Sequence, residues 1–110
     1  MKRDDLLRHV LIFSIFLMLF PCACKESTKT AVPRLIEKLT AEEAHQRNEA
    51  ALALAAYGED AEPASKQLIR LLSDKNYGVR SSAAFALRRI GTKEATAALD
   101  AYTIASQKKK

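Results

Sequence analysis

Apolar residues along this chain fall into two regimes. From Val10 to Phe20 they run almost without a break as "VLIFSIFLMLF". From residue 31 onward they recur three and four apart, the period of a helix that buries one face. Leu35, Ile36 and Leu39 make one such stripe, and Leu68, Ile69, Leu71 and Leu72 make a second. These stripes predict helices over 32–39 and 61–73, each followed by an alanine-rich helix, over 41–57 and 77–90. Pro33 and Pro63 stand near the starts of the first helices, where a missing amide costs little. Thr40 with Glu43 has the form of a capping box, and Asn76 and Thr92 suit N-caps. Gly58 and Gly91 fit the left-handed residue just past a helix end. A last helix begins at Thr92, with Ala98, Leu99, Tyr102 and Ala105 expected to face inward.

The two helix pairs are copies. At a shift of 33 residues, Ala31, Leu35, Ile36 and Leu39 fall on Ala64, Leu68, Ile69 and Leu72. Arg47 falls on Arg80, Ala50 and Ala51 on Ala83 and Ala84, Ala53 and Leu54 on Ala86 and Leu87, and Gly58 on Gly91, with no gap. A fixed period of this size marks an array of stacked units. Small alanines at these positions let neighbouring helices approach closely. The third unit has only its first helix, which caps the array with the polar face of Lys93, Glu94 and Asp100.

The segment "LIRLLSDKNYGVRSSAAFALRRIG" resembles the HEAT-like repeats of bilin lyases and bacterial scaffold proteins, over about residues 31–105. The resemblance implies an all-α fold, a short right-handed α-solenoid of about two and a half helical hairpins, within a repeat domain spanning 31–106. It also implies binding of a protein or peptide along one helix of each unit, without catalysis. In that family a loop Asp is often paired with an Arg six residues on, which fits Asp74 and Arg80. Ala41 replaces the Asp in the first unit, so Arg47 is left to Glu42, Glu43 or water. A chromophore-handling role like that of the bilin lyases is the alternative this likeness permits.

The N-terminal run is short for a permanent span, since a helix crossing a bilayer needs about 20 apolar residues. Its basic-leaning start, apolar stretch and Pro21 fit a secretory signal. Ala23 before Cys24, followed by the polar "KEST", resembles the lipobox of bacterial lipoproteins, although Pro21 stands where that family prefers Leu, Val or Ile. The resemblance implies cleavage after residue 23, a lipid on Cys24, a polar tether over 24–30 and residence at the cell envelope. Lys25, where an inner-membrane retention signal has Asp, favours the outer membrane. An uncleaved anchor and simple secretion are the other readings. A disulfide between Cys22 and Cys24 would be strained.

Charge refines the picture of partners. The formal net charge is +5, and the basic tail Lys108–Lys110 supplies three of it. The nearly neutral body lacks the basic stripe of a nucleic-acid binder. In the repeat phase Asn48, Glu49, Leu52, Ala55 and Ala56 in the first unit, and Ser81, Ser82, Phe85, Arg88 and Arg89 in the second, are expected to point outward. Leu52 and Phe85 occupy equivalent slots, and an apolar pair flanked by arginines suits a contact surface. Arg88 and Arg89 could pair with a partner's carboxylate or phosphate. Residues Glu49, Leu52, Ser82, Phe85, Arg88 and Arg89 are therefore the candidate binding set, and Gly58, Asp74, Arg80 and Gly91 the structural set. No cofactor is expected. His45 has no second His or Cys at metal spacing, and no serine has a paired base at a recommending distance. Apolar helix faces at the two ends also allow copies to stack end to end.

Overall fold

A computed structural model of the chain describes residues 27–109. The apolar run 10–20, Cys24 and Lys110 lie outside the described residues. Within them the chain is all-α: α1 (Thr28–Lys38), α2 (Ala44–Tyr57), a 3-10 segment (Gly58–Ala64), α3 (Ser65–Leu71), α4 (Tyr77–Ile90) and α5 (Lys93–Lys108). None of these helices is long and apolar enough to cross a membrane.

α1 with α2 forms the first hairpin, and the 3-10 segment plus α3 with α4 forms the second. The largest helix–helix interface is that between α2 and α4, so the second helices of successive units lie against each other. Alanine explains this closeness. Ala50, Ala51, Ala83, Ala84 and Ala86 are buried, and Ala53 is half-buried. Between these small residues the largest fully buried side chains are Leu39, Leu54, Leu68, Val79, Leu87 and Ile90. Leu54 and Leu87, one period apart, are both completely buried and belong to one continuous core with Val32, Leu72 and Ala95. Leu35, Ile36, Ile69 and Leu71 pack half-buried against it.

Element boundaries depart from the periodicity in three places. α1 begins at Thr28, a turn earlier than Val32, and so draws its first turn from the polar stretch read as tether. Pro33 is then inside the helix, on an exposed turn, where the lost amide bond is that to the Lys29 carbonyl. The capping box does not form. Thr40 Oγ1 donates to the Glu37 carbonyl at 2.8 Å, closing the previous helix. α2 starts only at Ala44, with Glu43 as an N-cap whose side chain makes no capping bond. Finally, residues 58–64 wind as a 3-10 helix, and α-helix resumes at Ser65. Pro63 removes a donor and disfavours the α conformation at Glu62, which suits the tighter, shorter winding.

The second unit is capped as its sequence suggests. Asn76 Oδ1 accepts from the Val79 amide at 3.3 Å, and Thr92 Oγ1 accepts from the Ala95 amide at 3.2 Å. Gly91 takes the left-handed conformation, φ 69 and ψ 15. Gly58 has φ 56 and ψ −128, a region open essentially to glycine alone, which turns the chain from α2 into the 3-10 segment. α5 packs on the body through buried Ala95 and half-buried Ala98, Leu99 and Tyr102. Ala105, expected inward, is exposed, because no described element packs over the last turns of α5 at that position.

Candidate functional site

The outward face of α2 and α4 carries most of the expected contact residues. Leu52 is 46% exposed and Phe85 is 47% exposed. These closely similar values at equivalent slots place a repeated apolar feature on the surface. Glu49, Ala56, Ser81, Arg88 and Arg89 are also exposed, and Asn48 is half-buried. Two expected members are not on this face. Ala55 is buried at 2% exposure because it adjoins Leu54 on the core side of α2. Ser82 is buried too, and its Oγ hydrogen-bonds the Asn48 Oδ1 of the preceding unit. Its hydroxyl is thus spent on joining α2 to α4, and Ser82 leaves the binding set.

The arginines of the two units are seated alike at one nitrogen. Arg47 Nη1 donates to the carbonyls of Ala41 at 2.7 Å and Glu42 at 2.6 Å. Arg80 Nη1 donates to the carbonyls of Asp74 at 2.7 Å and Lys75 at 3.1 Å. Each arginine therefore ties its own hairpin loop to its second helix, six and five residues back. Such carbonyls have no partner inside a helix, so the side chain supplies one.

The carboxylate pairing differs from the expected one. Asp74 binds the arginine of the preceding unit: Arg47 Nε and Nη2 reach its two oxygens at 2.9 and 3.1 Å. Arg80, six residues on from Asp74, holds the main-chain oxygen instead. The side chains of Arg47 and Asp74 are only 15% and 9% exposed, so the fork works in a partly dry setting where it is strong. Asp74 also accepts from the Asn76 amide at 2.9 Å. The hydrogen bonds from Arg47 hold the Asp74 carboxyl below the ordinary carboxylate pKa, against the opposing effect of burial. The Asn76 amide and the charges of Arg47 and Arg80 reinforce the lowering. Arg47, assigned only to its own loop or water by sequence, is therefore the residue that links the units. Arg47 needs no Asp at position 41, because Asp74 serves the arginine one unit back.

His45 is exposed, with Nδ1 3.1 Å from a Glu43 carboxylate oxygen. Among the described residues no three His, Cys, Asp or Glu side chains gather as a metal site would require. What the arrangement offers is surface: an apolar pair with flanking cations, mounted on helices that the core and the Arg47–Asp74 fork hold in register.

Over residues 32–108 the chain matches the family of HEAT repeats, and it belongs to that family. No curated protein and no solved structure matches it.

Proposed function

We propose that this HEAT-repeat chain is a binding module that docks a protein or peptide on the exposed face of α2 and α4, acting by contact and without catalysis. HEAT repeats generally serve as protein-interaction scaffolds, which supports the general reading. The observation that carries the specific one is the pair Leu52 and Phe85, half-exposed on adjoining helices. A large aromatic and an aliphatic left half-exposed at equivalent slots of packed helices, with Arg88 and Arg89 one turn on from Phe85, combine side chains of the kind that dominate binding energies. Exposed Glu49 gives the first-unit end of the face an acidic group, so a partner can be oriented by charge along the helices.

The module is held at the cell envelope by a lipid on Cys24. The apolar run 10–20 and the "CACKEST" segment that follows it support this part of the reading. Each buried methylene contributes about 0.8 kcal/mol to anchoring, and stable attachment takes more than one chain. The intact mass of protein purified from membranes tests it: loss of residues 1–23 with an acyl increment is expected, and the unmodified full-length mass would refute it.

For the docking face, peptides selected on the immobilised chain provide the probe. Phe85→Ala is expected to weaken the best selected peptide about tenfold or more, on the scale of a hot-spot truncation, with helicity by circular dichroism unchanged. Retained binding in both Phe85→Ala and the double variant R88E/R89E would overturn the assignment.

A further inference from the structure

The first unit shows what the inter-unit arginine does when a unit follows it, and the second unit shows the same arginine with that place open. Arg47 uses Nη1 for its own loop carbonyls and turns the edge formed by Nε and Nη2 to the next unit's Asp74. Arg80 repeats the first half of this pattern with Nη1. Its Nε and Nη2 make no hydrogen bond among the described residues. The position one period beyond Asp74 is Gln107, which lies in the last turn of the uninterrupted helix α5 rather than in a loop. Beside it opens a groove of about 550 Å³ between the α3–α4 loop and the end of α5, lined by Leu72, Ser73, Tyr77, Arg80, Tyr102 and Lys109 among others.

The groove is chemically matched to an acidic group. Arg80 and Lys109 bring positive charge, and the Asp74 carboxylate on its wall is already engaged by Arg47. The Tyr77 ring lies over Arg80, with 5.7 Å from the ring centroid to Cζ. Arg80 uses Nη1 for the loop carbonyls, which leaves the edge of Nε and Nη2 for a fork to a carboxylate. Tyr102 and Leu72 supply apolar surface next to the charge. A second copy stacked in continuing register would present Ala41 at this place, which has no carboxylate to offer.

We infer that this groove is a second docking site, taking a loop-borne aspartate of another protein, bound by Arg80 as Asp74 is bound by Arg47. It is separate from the α2–α4 face and does not depend on it. The probe is the eight-residue peptide spanning Leu72–Val79, acetylated and amidated, which carries the aspartate in its native loop sequence. Titrated into the full chain at millimolar concentration, it is expected to shift the Arg80 Nε–H resonance and the Tyr77 and Tyr102 signals saturably. Changing the peptide's aspartate to asparagine is expected to lower affinity tenfold or more. The protein variant Arg80→Gln should do the same, and Phe85→Ala should leave binding unchanged. No saturable shift, equal affinity of the asparagine peptide, or loss of binding in Phe85→Ala would overturn the assignment. The asparagine peptide leaves the protein untouched, so the result stands even if Arg80→Gln disturbs the loop.

Discussion

Removing the Arg47–Asp74 fork should cost stability in a way that only coupled residues can. The relevant variants are Asp74→Ala, Arg47→Met and the double variant, compared in urea unfolding followed by circular dichroism. Exposed ion pairs contribute about 0.2–1 kcal/mol, and breaking a fully buried pair costs about 3–5 kcal/mol. The side chains here are 15% and 9% exposed, and two charge-assisted bonds at 2.9 and 3.1 Å connect them. Hydrogen bonds to charged groups contribute about 1.5–3 kcal/mol each, and sharing one carboxylate makes them less than additive. A coupling energy of about 2 kcal/mol follows for the pair. Arg47→Met carries an additional cost outside the coupling, because the Ala41 and Glu42 carbonyls lose their donor. The parallel cycle with Arg80→Met and Asp74→Ala is the internal control. Arg80 bonds Asp74 only at its main-chain oxygen, which survives the alanine change, and acts on the carboxylate only as a nearby charge, so coupling below about 1 kcal/mol is expected there. A larger coupling for residues 80 and 74 than for 47 and 74 would refute the inter-unit pairing.

Further expectations follow from the same contacts. Asp74 has a lowered pKa in the folded chain, so its contribution is fully present above the unfolded value of about 3.9 and is lost as pH falls through the folded value. The stability gap between the native chain and Asp74→Asn should therefore hold from neutral pH to about 5 and shrink below about 4; a gap independent of pH would contradict the charge argument. Ser65 Oγ is buried and makes no hydrogen bond among the described residues, and Val32 fills the equivalent slot. Ser65→Ala should leave stability unchanged or raise it by about 1 kcal/mol, measured as a higher thermal midpoint. Gly91→Ala should cost about 1–2 kcal/mol for a left-handed alanine, whose Cβ would meet the Arg88 carbonyl oxygen only at an ordinary 3.9 Å. Gly58→Ala should cost more, about 2–3 kcal/mol, because its φ 56, ψ −128 conformation is less accessible to a side chain.

Much of the fold was legible because it is written twice. The 33-residue shift identifies the hairpins, the alanine contacts between α2 and α4 and the glycines at 58 and 91, while residue type marks the caps at Asn76 and Thr92. The same shift, applied to the caps, would also have placed Glu43 in the slot of Asn76 and started α2 at Ala44. A local motif, Thr40 with Glu43, obscured that, and the structure follows the repeat: the loop carbonyls at 41 and 42 stay outside the helix, where Arg47 reaches them. The pairing of Asp74 was hidden for a related reason. Sequence spacing sees residues within one unit, whereas the carboxylate looks back to the unit before. Ser82 and Ala55 show the limit of assigning helix faces by phase alone. A helix wedged between its own hairpin partner and a neighbouring unit buries more than half its circumference, so only a narrow strip through Glu49 and Leu52, and through Phe85 and Arg88, remains for a partner.

Everything above requires α2 and α4 to lie side by side in one register, and engineered cysteines can measure that directly. The variant N48C/S82C, with Cys22 and Cys24 changed to serine, places thiols where the Asn48 and Ser82 side chains meet. A disulfide needs Cα atoms within about 4.4–6.8 Å. Rapid intramolecular oxidation, read by mass and thiol titration, is the expected result, with N48C/S81C remaining reduced because Ser81 is exposed. Failure of N48C/S82C to close, or faster closure of N48C/S81C, would show that the two units do not stack in this register.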